Sequence, residues 1–255
     1  MKHYPTDIND SQLEFIKGIL NTQRKRKHSL RDIFNAILYM LKTGCQWRML
    51  PRDFPKWELV YYYFTCWKKN GIIEQIHEAL RDIVRKKAGR DESPSLALID
   101  SQSIKTTRLG GQDRGVDGGK KVKGRKRHII TDSTGLLLAV VVHAANLHDS
   151  KAAIDVIKLL RGRFKRLIKI LADGGYRGEL IEKTKISFGW ILEVVLRSDH
   201  STDFSVIPKR WVVERTFSWF ESYRRLSKDF EYRTDTSEAM IQLAMIKLML
   251  NRIKL

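Results

Sequence analysis

Two short apolar runs in the sequence each end on an aspartate. The runs are LALID at residues 96–100 and KILAD at residues 169–173. Because each run is short and continuously apolar, each predicts a strand that is buried on both faces of a sheet. Stretches with the periodicity of helices follow the second run, and another lies between the two. Strands that alternate with helices are typical of an α/β domain, so these runs restrict the fold more than any other feature of the chain.

A hairpin between the two runs indicates that the sheet is mixed. HIITD (128–132) and LLLAVVVHAA (136–145) predict its strands, and the turn is expected at 133–135. Residues 106–127 are rich in Gly, Lys and Arg and predict a loop. The remaining expected elements are a helix over 150–162 capped by Asp149, a short helix over 179–185, a strand over 190–196, and helices over 208–225 and 237–252.

The first 90 residues predict helices alone. In KHSLRDIFNAILYMLKTG (27–44), Ser29 can cap the N-terminus of a helix and Gly44 can end it. Several short helices in a basic context favour a helix-turn-helix-like DNA-binding module, although any small helical bundle has the same pattern. The polar segment AGRDESPS (88–95) predicts a linker, which divides the chain into domains at 1–90 and 91–255. The other expected helices are 11–20, 57–69 and 72–87.

The charge of the chain indicates a polyanionic partner. Its formal net charge is +19, and Lys and Arg exceed Asp and Glu by 18 to 9 in residues 1–90 and by 30 to 20 in residues 91–255. A surface that is basic throughout favours nucleic acid, because neutralised phosphates release their counterions. A solvated basic protein, or one drawn to anionic membranes, is the alternative.

Other features exclude several classes of protein. No apolar run approaches the ~18 residues that span a bilayer, and the N-terminus has no secretory signal. The two cysteines, Cys45 and Cys66, are too few for a disulfide scaffold or a zinc cluster. Neither a nucleotide-binding glycine loop nor a Ser-His-Asp or Cys-His arrangement is indicated. These features favour a cytoplasmic protein without a membrane partner.

Three acids stand where a metal site could form. If the two aspartate-ending strands are parallel neighbours, Asp100 and Asp173 converge, and paired carboxylates suit Mg²⁺ or Mn²⁺. The alternative is that each is an ordinary turn or capping residue. Glu214 lies on the amphipathic helix that PKRWVVERTFSWF (208–220) predicts. Its alternative role is a surface ion pair with Arg210, one helical turn earlier.

The segments around these acids are recognisable together. LIDSQSIK, LADGGYRG and PKRWVVERTFSWF resemble the three acidic motifs of the DDE insertion-sequence transposases, in the bacterial group of insertion sequences four and five. AILYMLKTGCQWRMLPRDFPKWELVYYYFTCWKKNG resembles the N-terminal helical module of that family, and KGRKRHIITDSTGLLLAVVVHAANLHDS resembles its central hairpin. The resemblance therefore covers nearly the whole chain.

This resemblance implies both a fold and a reaction. The fold would be α/β, a ribonuclease-H-like catalytic domain with a mixed sheet, preceded by the all-α module. Asp100, Asp173 and Glu214 would hold two Mg²⁺ ions, for which Mn²⁺ could substitute. The protein would bind the terminal inverted repeats of its element, cleave at the ends and join each 3′-OH to target double-stranded DNA. It would act as a homodimer on DNA, associated with the nucleoid in the bacterial cytoplasm.

The third motif departs from the family pattern at two positions. The family has a tyrosine seven residues before the glutamate and a lysine seven after it, where this chain has Ile207 and Glu221. Its arginine, four residues before, is matched by Arg210. The pattern indicates the insertion-sequence-five-like branch and leaves open which cation contacts the terminal phosphates. The DNA contacts expected from spacing and position are Arg210, Arg225, Lys228, Lys121, Lys123, Arg125, Lys126, Arg127, Tyr176 and Arg177.

Several alternatives remain open from the sequence. The basic residues of 120–127 could form a solvated flexible loop instead of a DNA contact. His148 and Asp149 could assist the active site, or Asp149 could cap a helix. The whole protein could be an inactive or repurposed transposase that only binds DNA, or a structure-specific nuclease without strand transfer.

Overall fold

The N-terminal part of the protein is helical, as its periodicity predicts. The computed structural model describes residues 4–20, 28–195 and 211–253. Ser29 caps the second helix by accepting a hydrogen bond from the Arg31 N–H at 3.2 Å, and Gly44 ends it with a positive φ of 72°. The helices are α1 (Asp10–Leu20), α2 (Leu30–Thr43), α3 (Trp57–Lys69) and α4 (Ile72–Lys87).

A mixed sheet of six strands forms the centre of the second part. Its strands are β1 (Leu96–Lys105), β2 (Gly115–Asp117), β3 (Val122–Asp132), β4 (Leu137–Ala144), β5 (Lys169–Ala172) and β6 (Ile191–Val194). The long strand β3 is antiparallel to β1, β2 and β4, whereas β5 is parallel to β1 and to β6. The order β4-β3-β1-β5-β6 is that of the ribonuclease-H-like α/β fold, which confirms the predicted fold class.

Helices cover both faces of this sheet. The helices of the second part are α5 (Asp149–Lys158), α6 (Glu179–Phe188), α7 (Trp211–Glu221) and α8 (Thr234–Arg252). Ala97 and Ile99 of β1 face a core that includes residues of α5 and α6. Leu98, between them, faces the opposite core, which includes α7 and α8. The alternation of side chains along β1 thus assigns each face of the sheet to its own pair of helices.

The N-terminal helices belong to the second of these cores. Side chains from Ile8 to Ile253 form one cluster in which α1–α4 pack together with α7, α8 and the sheet. Helix α8 has eleven buried residues because it lies between α4 and β4. The division of the chain at residue 90 stays a prediction, and the segments on its two sides share one hydrophobic core.

Several predicted boundaries are wrong, among them the end of the helix predicted over 150–162, which lies at Lys158. Strand β1 continues to Lys105, because its second half pairs with residues 124–128 of β3. The predicted loop over 106–127 therefore contains β2 and the beginning of β3. Helix α7 ends at Glu221 instead of residue 225. Tyr223 has an extended backbone there, and its buried hydroxyl donates a hydrogen bond to the Ala244 carbonyl at 3.1 Å.

Candidate active site

Asp100 and Asp173 lie at the same level of two neighbouring parallel strands. Leu98 of β1 pairs with Leu171 of β5, so each aspartate stands two residues beyond a paired leucine. Because side chains alternate along a strand, each aspartate is on the face of its leucine. Both leucines pack into the core of α7 and α8. The two carboxylates therefore project from the same face, and both side chains are partly exposed.

Asp173 is also a capping residue. Its Oδ1 accepts a hydrogen bond from the Gly175 N–H at 2.9 Å and so caps the 3₁₀ turn Gly174–Tyr176. Asp100, in contrast, lies within a strand, where its Oδ1 accepts from the Ser101 N–H at 2.7 Å. The capping role inferred from the sequence is therefore real for Asp173. It is compatible with metal binding, because a carboxylate has further lone pairs.

Glu214 approaches the same face of the sheet from a helix. It is exposed in the first turn of α7, which packs against β1 and β3. In the described part of the chain, however, no three His, Cys, Asp or Glu side chains are grouped closely enough to hold a metal ion. The structure thus places Asp100 and Asp173 on one face of the sheet, and the three acids do not form a closed metal-binding group among the described residues. Arg210, the predicted partner of Glu214, lies outside the described residues.

The turn between β3 and β4 anchors helix α7. Thr216 Oγ1 donates a hydrogen bond to the Gly135 carbonyl at 2.9 Å, and Arg215 Nη2 donates to the Thr134 carbonyl at 2.8 Å. Gly135 has a φ of 87°, and a β-carbon there would lie 2.9 Å from both Thr216 Oγ1 and the Trp219 ring. Only glycine permits this close approach.

A stack of cations and indole rings extends the same anchor. The Arg215 guanidinium carbon lies 4.4 Å from the centroid of the Trp211 ring and 5.0 Å from that of Trp219. Arg252 of α8 covers Trp219 in turn, at 4.4 Å. Each pair is within cation–π range. The stack and the turn together set how α7 lies on the sheet, and with it the position of Glu214.

A buried polar layer lies behind the acidic pair, on the opposite face of β1. Lys126 Nζ forms an ion pair with Asp149 at 2.9 Å, and Ser101 Oγ donates a hydrogen bond to the same carboxylate at 2.8 Å. Burial opposes the charge of Asp149, but the hydrogen bonds from Lys126 and Ser101 leave its pKa below the ordinary value. The sequence gives no local sign of this layer, since its members come from strands and helices far apart in the chain.

The N-cap of α5 is His148 and not Asp149, which corrects the prediction. The His148 ring nitrogen Nδ1 accepts a hydrogen bond from the Ser150 N–H at 3.3 Å. Asp149 is turned inward instead, toward Lys126. Asp149 therefore belongs to the buried layer behind β1, and His148 is exposed at the surface.

Three of the predicted DNA contacts are buried in strand β3. Arg125 is fully buried and donates hydrogen bonds to backbone carbonyls of residues 112, 231 and 232, beside an ion pair with Asp229. Lys126 is held by Asp149, and Arg127 is 2% exposed. Burial lowers the pKa of Arg127 to about 10. The prediction that these three residues contact DNA directly is wrong, because their charged groups are buried and stabilise the interior.

Two further predicted contacts are also buried. Arg225 does not share a helix with Glu214: it lies in a 3₁₀ turn beyond α7 and pairs with Glu231 at 2.6 Å. Tyr176 is 1% exposed. These positions contradict a direct contact with DNA. The predicted contacts that the structure leaves at the surface are Lys121, Lys123, Arg177 and Lys228.

The family of the chain follows from a match across its second part. Residues 91–249, more than half of the sequence, match the family described as "Transposase DDE domain". The chain belongs to this DDE transposase family. Residues 8–77 of the chain match a second family, which is described as "Putative transposase of IS4/5 family". Both matches confirm the resemblance to the group of insertion sequences four and five.

Two curated relatives share part of the sequence. The family member is 36% identical over 128 residues to "Putative transposase for insertion sequence element IS402" of Burkholderia cepacia, which covers 47% of this chain and 60% of the relative. It is 28% identical over 117 residues to "Insertion element IS402 uncharacterized 16.2 kDa protein" of the same organism, covering 40% of this chain and 76% of that protein. The matched region thus spans about 60% of the length of the first relative.

Solved transposase structures are remotely similar. "Crystal structure of the Mos1 mariner paired end complex with Mn" aligns with a TM-score of 0.31 at 12% identity, over 95% of this chain and 84% of that one. "Crystal structure of the Mos1 Strand Transfer Complex" aligns with a TM-score of 0.25 at 10% identity, over 86% and 78%. The fold assignment rests on the strand order and on the family.

None of the helices in the described part of this protein is long and apolar enough to span a bilayer.

Proposed function

We propose that this protein is a DNA transposase whose catalytic acids are Asp100, Asp173 and Glu214. The observation that carries the proposal is the register of β1 and β5, which puts Asp100 and Asp173 at one level on one face. Two carboxylates that project together repel one another unless a cation lies between them. An all-oxygen ligand set fits a hard divalent ion such as Mg²⁺, with Mn²⁺ as a substitute.

The chain's own residues would prepare the site for this ion. Two bound divalent ions would activate the attacking oxygen and stabilise the leaving oxygen at phosphorus. The parallel strands β1 and β5 direct Asp100 and Asp173 to one face of the sheet, and Glu214 lies in the first turn of the anchored helix α7, which packs on that face. Glu214 would complete the ligand set by a movement of its exposed side chain. Because phosphoryl transfer needs mainly positioning and charge neutralisation, such a scaffold is sufficient.

The DNA partners follow from charge and exposure. We propose that Lys121, Lys123, Arg177 and Lys228, which are exposed, contact the phosphates of terminal-repeat and target DNA. Arg210 stays a proposed contact from its match to the family motif. Contacts of this kind position DNA without reading its sequence, and they weaken as salt rises. Joining two element ends requires two active sites, so we propose a homodimer on DNA, acting at the nucleoid of a bacterial cytoplasm.

One observation is also compatible with a second function, which is DNA binding without cleavage. Since the described residues contain no closed group of three metal-binding side chains, the structure is also compatible with a protein that binds DNA without cutting it. Such a binder would retain affinity for the terminal repeats in the absence of divalent ions. It would produce neither nicks nor joined products when Mg²⁺ is added.

The test uses the full chain, Mg²⁺ and duplex DNA that carries the inverted repeats flanking the gene. We expect nicks at the repeat ends and joined products on a target plasmid, and we expect Asp100→Asn, Asp173→Asn and Glu214→Gln to abolish both. Glu221→Gln is the matched control, because Glu221 is exposed on the same helix as Glu214 and should be dispensable. Nicks without joined products would identify a nuclease. No products at all, with DNA binding retained, would identify the binder.

A further inference from the structure

A chain of buried hydrogen bonds runs from the turn of Asp173 into the sheet. The hydroxyl of Tyr176, the last residue of that turn, lies 2.9 Å from Nε2 of His128. Nδ1 of His128 lies 3.4 Å from Nε2 of His143, whose Nδ1 lies 3.0 Å from the Ala144 carbonyl oxygen. All three side chains are buried, so this chain is shielded from exchange with water.

The Ala144 carbonyl at the far end determines which atom donates in each of these hydrogen bonds. A carbonyl oxygen can only accept, so the proton of His143 is on Nδ1. Burial lowers the pKa of His143, and it lowers that of His128 to about 3, so both rings are neutral. Nε2 of His143 is then an acceptor, and His128 must donate from Nδ1. This leaves Nε2 of His128 to accept, and the Tyr176 hydroxyl is the donor.

The hydrogen bond from Tyr176 joins the supports of the two aspartates. His128 of β3 lies opposite Ser101 of β1, the residue after Asp100. At the other end, the Tyr176 N–H donates to the Asp173 carbonyl at 3.2 Å within the capped turn. A phenol keeps its proton at neutral pH, because its ordinary pKa is about 10, so the Tyr176 hydroxyl is able to donate.

We propose that Tyr176 is a positioning residue, whose hydrogen bond to His128 holds Asp173 level with Asp100 for metal binding. This inference rests on the proposed function, because it assigns Tyr176 a role only through the two aspartates. Tyr176 touches neither DNA nor the reacting phosphate in this account. It acts as the outer partners of metal ligands do, by limiting how far a ligand can turn away.

The test compares two buried tyrosines whose hydroxyls each make a hydrogen bond, one beside the acidic pair and one in the helical core. Tyr176→Phe removes the hydroxyl at the site, and Tyr223→Phe removes a buried hydroxyl that donates to the Ala244 carbonyl in the helical core. Both variants lose one buried hydrogen bond. Mn²⁺ binding, followed by electron paramagnetic resonance on the full chain without DNA, is the first measurement. We expect ~10-fold weaker binding in Tyr176→Phe and unchanged binding in Tyr223→Phe.

A second measurement requires no variant. In nitrogen NMR spectra of the wild-type protein, His128 and His143 should both be neutral with the proton on Nδ1. A proton on Nε2 of His128 would overturn the proposal, because Tyr176 could not then donate to it. Wild-type Mn²⁺ affinity in folded Tyr176→Phe would overturn it as well. If Asp100→Asn and Asp173→Asn also bind Mn²⁺ like the wild type, the proposed function itself fails.

Discussion

Arg85, in the last turn of α4, forms a buried ion pair with Asp132, the last residue of β3. The two side chains are 4% and 0% exposed. Asp132 also accepts hydrogen bonds from the Thr134 N–H and the Leu136 N–H, at 2.8 and 2.9 Å. The pair therefore connects the N-terminal helices to the turn that anchors α7. We expect Arg85→Met to destabilise the protein by about 3–5 kcal/mol, because it leaves a carboxylate buried without its cation.

The measurement is the free energy of urea unfolding, followed by tryptophan fluorescence. Lys86→Met is the matched control: Lys86 pairs with Glu92, but their side chains are 65% and 52% exposed. Solvent screens an exposed pair, so this variant should unfold like the wild type. Equal effects of the two substitutions would show that the burial of the Arg85 pair contributes nothing.

The cation–π stack on α7 should stabilise the fold and tune its fluorescence. Arg215→Gln removes a guanidinium placed between Trp211 and Trp219, and we expect a loss of about 1–2 kcal/mol. Arg48→Gln is the control, because exposed Arg48 stacks on a single ring, that of Trp57, at 5.3 Å. Urea unfolding and the tryptophan emission spectrum report both effects. A stability equal to that of Arg48→Gln would show that the stack does not anchor α7.

Glu238 predicts a specific dependence of stability on pH. Its Oε1 accepts a hydrogen bond from the Val142 N–H at 2.8 Å, and burial raises its pKa from 4.5 to about 7. The folded state thus holds this proton more tightly than the unfolded state. The stabilisation that protonated Glu238 provides is fully present below pH ~4.5 and is lost as pH rises through ~7. Glu238→Gln should remove this loss. Its free energy of unfolding at pH 8 should exceed that of the wild type by up to about 3 kcal/mol.

Unfolding free energies of the wild type and Glu238→Gln at pH 5.5 and pH 8 test this. The two proteins should be closer in stability at pH 5.5 and diverge at pH 8. Parallel dependence on pH in both proteins would show that Glu238 does not titrate in this range.

Local signals predict much of the fold. Ser29 and Gly44 bound α2 because capping depends on a few neighbouring atoms. Strands β1 and β5 are located correctly because a short apolar run leaves a direct mark on the sequence, although β1 continues beyond Asp100 to Lys105. Asp173 could be assigned both as a cap and as a member of the acidic pair, since both roles follow from its position just after β5.

Distant partners explain what the sequence does not predict. The segment around Arg125 looks like a solvated loop, and its true role depends on Asp229 and on carbonyls about a hundred residues away. The same applies to Lys126, whose partner Asp149 comes from another element. A continuous helix over 208–225 would put Arg225 on the same helix as Glu214, but α7 ends at Glu221 and Tyr223 beyond it has an extended backbone.

The central claim is that Asp100 and Asp173 bind one divalent ion between them. Fe²⁺ can replace Mg²⁺ at such a site, and with ascorbate and peroxide it generates radicals that cut the polypeptide close to where it is bound. The positions of chain scission in the full-length protein are the measurement. We predict cuts beside residues 100 and 173 that Mg²⁺ suppresses and that Asp173→Asn abolishes. Cuts confined to other segments, or cuts that persist unchanged in Asp173→Asn, would contradict the account.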